Sequence, residues 1–389
     1  MTVRVNKSEF NFREKVTELS SPMGQKGSEL MRSETVYQAR NCLSVGRKNL
    51  VINGNMAIDQ RNDGSSVTAT DAFVLDRFKL KENTSGSFSI NRDAFPVGDQ
   101  HPEGHRYAMQ IACTSADTSL SGNEHAVIMH MVEGYNIIGT GFGTAAAKNM
   151  TLSFWVKTNV PGTYSVALKN GSQNRCQVKE YQAGMSGTVW EKIVLTYSGC
   201  NDGSWVVSDA IGMKLEFGLA GAQASYATTD IDAWKTSNLF LSADQVNFFS
   251  STNNRFFLTG VQLEIGDQAT EFEHRPYGEE LALCQRYFQK KKIGYGRIAH
   301  FRTSTIMVFA VDLPVAMRGS GTNTITQDTG LNQWAFRDGV SPTISAIQTN
   351  NSSYDGSTLS LLYTASSGGV TDETCFYYGG GSLLIDAEL

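Results

Sequence analysis

The sequence predicts a mainly β protein: a jelly-roll β-sandwich, preceded by a short helical segment and followed by a smaller β-domain. Apolar and polar residues alternate over many short stretches, and turns rich in Gly and Asn separate these stretches. Alternation with a period of two residues is typical of strands that bury one face. Strand-like and helix-like stretches do not alternate regularly along the chain, which argues against a parallel α/β sheet.

The alternating sets lie between residues 49 and 275, and each set predicts a strand with one buried face. In TLSFWVKT, for example, the apolar positions are Leu152, Phe154 and Val156. Seven or more strands over about 225 residues are typical of a two-sheet sandwich. The strand pattern begins after residue 49 with Val51, Ile52, Met56 and Ile58, and the other sets are Tyr107, Met109 and Ile111; Tyr164, Val166 and Leu168; Ile193, Leu195 and Tyr197; Met213, Leu215, Phe217 and Leu219; and Val261, Leu263 and Ile265.

Residues 1–48 differ in composition from the rest of the chain. They contain nine Lys or Arg against five Glu, which gives this segment a net charge of +4. Phe12, Val16 and Leu19 have helical spacing, and a second helical stretch follows Ser28. We interpret the segment as a helical dock that attaches to a partner or to other copies of the chain. The alternative is a frayed terminal tail.

The residues that follow the sandwich predict a helix and then more strands. Acidic residues open residues 276–293 and the lysines at 290–292 close them, as expected for a linking helix whose ends complement its dipole. Residues 294–389 return to strand patterns such as SLLYTAS and SLLIDAEL. We interpret residues 294–389 as a C-terminal β-domain, distal and packed between chains, because its strands carry much Thr and Ser.

Charge and cysteine content exclude several classes of function. The net charge is −5, so the chain lacks the basic surface that nucleic acid or an anionic membrane requires. No apolar run approaches the length that spans a bilayer, and the first residues lack the apolar core of a secretory signal. The six cysteines form no CxxC pair, so we expect free, buried thiols and no metal cluster.

No motif points to an enzyme. The chain has no GxSxG elbow, no P-loop and no GxGxxG before a helix. His101 and His105 in HPEGH have zincin-like spacing, but Pro102 and Gly104 oppose a helix there. A glycosidase would need two carboxylates about 5–9 Å apart, and nothing in the sequence singles out such a pair. We therefore expect no catalytic residues and no resident cofactor, although a polysaccharide depolymerase remains an alternative.

The candidate ligand-binding residues lie outside the regular strand pattern. The connections at 91–106 and 221–236 are long, and long loops at the end of a sandwich often carry binding sites. Sugar recognition uses exposed aromatic faces together with amide or carboxylate hydrogen bonds. Asp230 and Asp232 could hold a sugar or a structural Ca²⁺ ion, although no EF-hand spacing is present. The candidates are Trp205, Tyr226, Asp230, Asp232 and Trp234, and for each aromatic residue the alternative is ordinary packing.

Three stretches of the chain resemble virion structural proteins of tailed bacteriophages, many of them marine or cyanobacterial. The first is GRKNLVINGNMAIDQRN (46–62) followed by VLDRFKL (74–80), the second is FFLTGVQLEIGDQATEFEHRPYGEELALCQRYFQ (256–289), and the third is LLIDAEL (383–389). Such proteins are tail fibres, fibre tips and related appendages, with a central domain similar to a carbohydrate-binding-module jelly roll. The resemblance implies architecture and setting, and it identifies no ligand.

Physical reasoning gives these motif residues structural roles. Val261, Leu263 and Ile265 are expected to face the core, with Gln262 and Glu264 pointing outward or into a neighbour. Asp76 and Arg77 of LDRF are expected to form an ion pair between apolar anchors. Phe272, His274 and Tyr277 are expected to pack where the chain leaves the sandwich.

The resemblance implies a homotrimer that is made in the host cytoplasm and works in the virion, in the tail or another external appendage. Residues 1–48 would attach it to other virion proteins, and loops of the sandwich would contact a host cell-surface polysaccharide. The alternative is a purely structural adaptor, neck, baseplate or capsid-attached fibre component that binds no receptor. Depolymerase tailspikes carry long repetitive β-helices, and this chain shows no such repeat.

Overall fold

The computed structural model divides the chain into two compact units, Met1–Asn49 and Leu50–Leu389. The described residues are 47–94, 102–222, 226–292, 297–303, 305–319, 324–327, 334–336, 344–347, 353–354, 358–365, 374–378 and 382–389, with Gly27, Leu30 and Arg32. The predicted helical dock at 1–48 lies almost wholly outside the described residues.

The first thirteen strands lie between residues 72 and 265, with a short α-helix, α1, at Gly134–Ile137 and three 3-10 helices of three residues each among the described residues. These strands are β1 Ala72–Leu75, β2 Phe78–Glu82, β3 Ser87–Ala94, β4 Tyr107–Ser115, β5 His125–Glu133, β6 Met150–Thr158, β7 Gly162–Asn170, β8 Cys176–Ala183, β9 Glu191–Tyr197, β10 Ile211–Gly221, β11 Ala227–Thr228, β12 Leu241–Ser242 and β13 Arg255–Ile265.

Eleven of these strands form two antiparallel sheets that face each other across one core, and the two-residue strands β11 and β12 pair in parallel with each other. The first sheet has six strands in the order β1-β2-β5-β10-β7-β8, and the second has five in the order β3-β4-β13-β6-β9. Inward-facing residues of both sheets, such as Phe154, Leu215 and Leu263, are fully buried in one apolar cluster. The predicted jelly-roll β-sandwich is confirmed. The alternating sets predicted from the sequence supply its core, because each buries every second residue.

The segment before β1 is buried but is not a strand. Val51, Met56 and Ile58 are almost completely buried. However, Asn53 and Met56 have φ angles of 62° and 57°, which an extended strand does not adopt. The expectation that strand structure begins at residue 49 is therefore wrong. The first strand begins at Ala72.

The helix that leaves the sandwich is shorter than predicted. Helix α2 spans Tyr277–Gln285, and the chain then enters strand β14, Phe288–Lys292. Strand β14 pairs with the C-terminal strand Ser382–Asp386 along its whole length. The lysines at 290–292 thus belong to a strand and do not close a helix, so the linking helix predicted over 276–293 ends at Gln285.

The remaining strands form two more antiparallel sheets. The small sheet has the order β14-β23-β17, and the larger one has the order β18-β22-β15-β16-β21-β19, with β20 pairing β21. The strands are β15 Arg297–Thr303, β16 Ile306–Asp312, β17 Thr324–Gln327, β18 Trp334–Phe336, β19 Ile344–Ile347, β20 Ser353–Tyr354, β21 Thr358–Ala365, β22 Thr374–Tyr378 and β23 Ser382–Asp386.

The end of the chain is bound to the sandwich through ion pairs, of which Arg77–Glu388 is buried and Arg61–Asp386 is partly exposed. We call these four residues, Arg61, Arg77, Asp386 and Glu388, the C-terminal clamp. Arg61 Nη1 lies 2.7 Å from Asp386 Oδ2, and its Nη2 lies 3.2 Å from Glu388 Oε1. The guanidinium of Arg77, which is 1% exposed, pairs with Glu388. It also lies 3.5 Å from the centre of the Tyr287 ring. These contacts place residues 386–388 against the sandwich, and the distal position of 294–389 in an assembly stays a prediction.

Two expected roles of motif residues differ in the structure. Asp76 accepts hydrogen bonds from the backbone N–H and side chain of Gln60, and Arg77 pairs with Glu388, so the Asp76–Arg77 ion pair does not form. Gln262 and Glu264 do leave the core face, but residues 270–273 cover them and bond to them.

At the exit of the sandwich, Phe272 and His274 pack against His105 as expected. Tyr277 does not pack there and is 65% exposed.

The predictions about free cysteines and membrane spans can be compared with the described part of the chain. Cys113, Cys176, Cys200 and Cys284 are free and buried, as predicted for small apolar core residues. No helix in the described part of the chain is long and apolar enough to span a bilayer.

Candidate functional site

The outer face of the six-stranded sheet carries a groove of ≈ 290 Å³. Strands β2, β5, β10 and β7 form its base, and residues 226–240 form one wall. The groove exists because the alternation that buries one face of these strands turns the other face away from the core. Residues 226–242 cover only part of that outer face, where Phe240 and Leu241 pack on Val127, Ala167 and Val178.

The floor of the groove is apolar. Strand β5 contributes Val127, Met129 and Met131, each nearly buried, at successive outward positions. Methionine and valine side chains offer no strong hydrogen-bonding groups, so polar recognition must come from the neighbouring strands.

Lysines lie on both sides of this floor. On one side, β2 places Lys79 directly opposite Met129 and Lys81 opposite Val127. On the other side, Lys214 of β10 lies between Met131 of β5 and Lys169 of β7 in the strand register. The apolar strand is therefore flanked by ammonium groups.

The two lysines on the far side have different partners. Lys169 is fully buried, and its Nζ lies 2.8 Å from Glu216 Oε2 and also donates to the side chain of Asn238. Lys214 is 7% exposed and pairs with no carboxylate among the residues described. Burial lowers the pKa of Lys214; the charge of Glu216 opposes this shift, and nearby lysines add to it.

Three aromatic side chains form one end of the groove: His125 of β5, and Tyr226 and Phe240 at the two ends of the wall segment 226–240. The Tyr226 and Phe240 rings stack with their centres 4.7 Å apart, and His125 packs edge-on against both. His125 Nδ1 lies 2.8 Å from the carbonyl oxygen of Asn123, so Nδ1 donates that hydrogen bond. Burial lowers the pKa of His125, so its neutral form is favoured and Nε2 is an acceptor. Nε2 has no hydrogen-bond partner within the described ranges.

Of the residues predicted to bind a ligand, the structure places only Tyr226 in the groove. Trp205 is 8% exposed, donates its indole N–H to the carbonyl of Asp202, and contacts Phe142 and Trp234 edge-on. Trp234 is half-buried and donates its indole N–H to Ser198. Both tryptophans thus form an aromatic packing cluster, which was the alternative interpretation, and Trp205 offers no ring face to a ligand.

The two predicted aspartates do not converge on a common point. Asp230 pairs with Lys235, and Asp232 pairs with Lys179 at 2.7 Å. A Ca²⁺ ion needs six to eight oxygen ligands, and here a lysine already contacts each carboxylate. Among the residues that the structure describes, no group of three or more His, Cys, Asp or Glu could hold a metal ion.

The lysines and His125 of the groove were not predicted from the sequence. The available signal was the polar half of each alternating pattern, as in FKLKE of β2 and MKLEF of β10. Such positions normally face solvent, and only the pairing of the strands shows that they share one face.

The carboxylates of the groove are both in ion pairs. Asp71 lies 3.0 Å from Lys79, and Glu216 pairs with Lys169. Each of these side-chain carboxylates therefore already has an ammonium partner within the groove.

No family model matches this chain, and none of the curated proteins compared with it matches. Solved structures similar to it include a Bacteroides thetaiotaomicron protein described as sugar-binding, at 13% identity and a TM-score of 0.32, covering 56% of this chain and 100% of that one. TmCBM61 in complex with β-1,4-galactotriose is 11% identical with a TM-score of 0.27, covering 57% of this chain and 100% of that one.

A third similar structure is the enzymatically active domain of tailspike protein 4 of bacteriophage CBA120. It is 10% identical with a TM-score of 0.29, and the match covers 56% of this chain and 21% of the tailspike chain. At such identities and TM-scores, these likenesses supply no argument about what this chain binds.

Proposed function

We propose that this protein is a non-enzymatic structural subunit of a tailed-phage appendage, a tail fibre or fibre tip, that binds a host-surface glycan. The observation that carries the binding role is the groove on the six-stranded sheet. The virion setting rests on the three stretches that resemble virion proteins of tailed phages. The proposed attachment through residues 1–48 rests on the same resemblance.

The chemistry of the groove suits a sugar chain. A sugar ring has apolar C–H faces and a rim of hydroxyls, so its binding site needs an apolar floor and a few well-placed polar groups. Met129 and Met131 supply the floor, and Tyr226 supplies an aromatic face at one end. Lys214 and Asn238 supply donors at the sides.

The three resembling stretches meet in one place, which supports a structural role for them. Arg61 and Arg77 of the first stretch bond to Asp386 and Glu388 of the third. Tyr287 of the second stretch packs under Arg77. Because these residues bind one another within the protein, we assign them a structural role. The groove lies instead at the surface.

Binding of the purified protein to surface polysaccharides of candidate hosts, measured by isothermal titration calorimetry, tests the proposal. We expect binding, and we expect Tyr226→Ala to weaken it about 5- to 10-fold by removing the aromatic face. Tyr277→Ala is the matched control, because Tyr277 is 65% exposed on α2 and does not line the groove. Equal losses in the two variants, or no binding by the wild-type protein, would contradict the proposal.

An exposed apolar patch favours the second candidate, a purely structural component. Tyr135, Ile138 and Val207 are 55%, 61% and 55% exposed. They lie close together, because Tyr135 N–H donates to the Ser208 carbonyl at 3.0 Å. Exposed apolar patches mark contacts with other proteins, and the homotrimer that we propose could bury this one.

Sedimentation of the wild-type protein and of the Tyr135→Ser/Ile138→Ser variant tests whether the apolar patch is a contact between subunits. A wild-type trimer that dissociates in the variant would make the patch an assembly contact. A chain that forms trimers and binds no glycan would favour the purely structural component over the receptor-binding subunit.

A further inference from the structure

We infer that the groove selects an anionic glycan, one whose sugar rings carry carboxylate or sulfate groups, and that Lys214 and Lys81 bind those groups. This inference rests on the proposed function, because it names the class of glycan that the groove would take.

The side chains that line the groove carry more positive than negative charge. They include four lysines and two carboxylates, a side-chain charge of +2 with His125 neutral, and the last residue, Leu389, also lines the groove. The chain as a whole has a net charge of −5, so this positive region contrasts with the rest of the surface. The charged lining residues are Asp71, Lys79, Lys81, Lys169, Lys214 and Glu216.

Two of the four lysines are already neutralised by carboxylates of the groove. Glu216 pairs with Lys169, and Asp71 pairs with Lys79. Lys81 and Lys214 have no carboxylate within ion-pair distance among the described residues. The excess charge therefore belongs to these two side chains.

Lys214 occupies a position where its charge is unfavourable in the free protein. It is 7% exposed and lies directly opposite Lys169 across the β10–β7 pair. Like charges directly opposite each other on a sheet are destabilising, and a nearly buried ammonium loses hydration as well. Glu216 forms its close ion pair with Lys169, so the local charge remains unbalanced. An anionic group of a ligand placed beside Lys214 would supply the missing counter-charge.

The spacing of the two lysines indicates an extended ligand. Lys214 lies level with Met131 of β5, and Lys81 lies level with Val127. Four residues along a strand span about 13 Å. A single sugar ring cannot reach both ammonium groups, so a polysaccharide with repeated anionic groups fits better than a monosaccharide.

Matched polymers test the inference, since they change the charge and keep the backbone. The probes are dextran sulfate against dextran and polygalacturonate against its methyl ester, measured by biolayer interferometry at low and high NaCl. We expect at least one charged polymer to bind about 10-fold or more tightly than its neutral partner, because a charge-assisted hydrogen bond strengthens binding by about that factor. We also expect this preference to shrink at high salt.

Lys214→Gln should weaken binding of the charged polymer about 10-fold and weaken binding of the neutral polymer far less, because the Gln amide keeps a hydrogen-bond donor and loses only the charge. Lys292→Gln is the matched control, because Lys292 is an exposed lysine outside the groove, and it should change neither affinity. A Lys81→Gln variant repeats the test at a side chain that is exposed, so failure to fold cannot explain its result.

The outcomes separate this inference from the proposed function. Equal affinity for charged and neutral polymers, lost in Tyr226→Ala, would overturn the charge selection and leave glycan binding in place. Binding of none of the polymers nor of host polysaccharide would overturn both. Inorganic polyphosphate bound as tightly as dextran sulfate, with the same loss in Lys214→Gln, would show that charge alone decides and would overturn the selection of a glycan.

Discussion

Two charged regions of the molecule, the C-terminal clamp and the groove, use buried charges in different ways. In the clamp, two arginines face two carboxylates, and each charge has a partner on another part of the chain. In the groove, four lysines face two carboxylates, and the nearly buried Lys214 has no partner of its own among the described residues. The two regions are neighbours, because the Arg77 guanidinium donates to the carbonyl oxygen of Met131, a residue that lines the groove.

This difference distinguishes charges that hold the fold together from charges that are available to a ligand. A buried charge with a partner stabilises one arrangement of the chain, and removing either partner is costly. A buried charge without a partner has a cost in the free protein, and such a cost is typical of sites that await a ligand. The contrast therefore predicts opposite signs for the stability changes when single charges are removed from the two regions.

The largest expected effect comes from opening the clamp. Glu388→Gln leaves the Arg77 guanidinium, 1% exposed, without its counter-charge. We expect the free energy of unfolding to fall by about 3–5 kcal/mol, as for one broken partner of a buried pair. Urea denaturation followed by tryptophan fluorescence measures this.

A double variant, Arg77→Met/Glu388→Met, removes both charges and should recover much of the loss, because no unpaired charge remains. If Glu388→Gln lowers the unfolding free energy by less than about 1 kcal/mol, the clamp resembles a surface ion pair and the comparison fails.

Acidification should lower the stability of the region around Arg77, because it favours protonation of the buried His130. This side chain is fully buried beside Phe78, and burial together with the Arg77 charge lowers its pKa to about 3. The folded protein thus resists protonation that the unfolded chain accepts near pH 6.5. The stability is present above pH 6.5 and is lost as the pH falls towards 3.

From pH 6.5 to 4.5 we expect His130 to account for a loss of about 2–3 kcal/mol. Asp76 works in the opposite direction over part of this window, because burial raises its pKa to about 6. Comparing the wild type with His130→Gln at each pH removes that contribution. Equal pH slopes in the two proteins would show that His130 is not held neutral.

The sequence predicts the sandwich well and the end of the chain less well. Phe154, Leu215 and Leu263 were predicted to be core residues because burial of alternate positions is a local pattern. The end of α2 at Gln285 was missed because Phe288–Lys292 becomes a strand only by pairing with Ser382–Asp386, far along the chain. Three successive lysines suit a helix end and an edge of a sheet equally well.

The site was predicted only in part, for a related reason. Trp205 and Trp234 stand out in the sequence as aromatic residues in loops, yet they pack against Phe142. Lys169 and Lys214 are unremarkable polar positions on strands, and only the β10–β7 register places them side by side. Local patterns predict which face of a strand is buried, whereas long-range pairing decides which polar residues share a surface.

Removing the charge of Lys214 should stabilise the free protein, in contrast to the clamp. Lys214→Met keeps the apolar stem and removes the repulsion from Lys169, so we expect the unfolding free energy to rise by about 0.5–1 kcal/mol. Lys169→Met is the matched control, and it should lower the unfolding free energy, because it leaves Glu216 nearly buried and unpaired. Similar losses in both variants would mean that Lys214 has a structural partner and that the groove resembles the clamp.

The smallest expected effect concerns Asp71, which pairs with Lys79 at the edge of the groove and is 66% exposed at its side chain. An exposed ion pair contributes little, so Asp71→Asn should change the unfolding free energy by less than about 0.5 kcal/mol. The substitution does release the Lys79 ammonium and raises the positive charge of the groove. If charge selects the ligand, affinity for a charged polymer should therefore rise about twofold at low salt, with no change for the neutral polymer. Unchanged or weaker binding of the charged polymer in calorimetry would place the anion away from β2 and leave Lys214 as the residue that binds it.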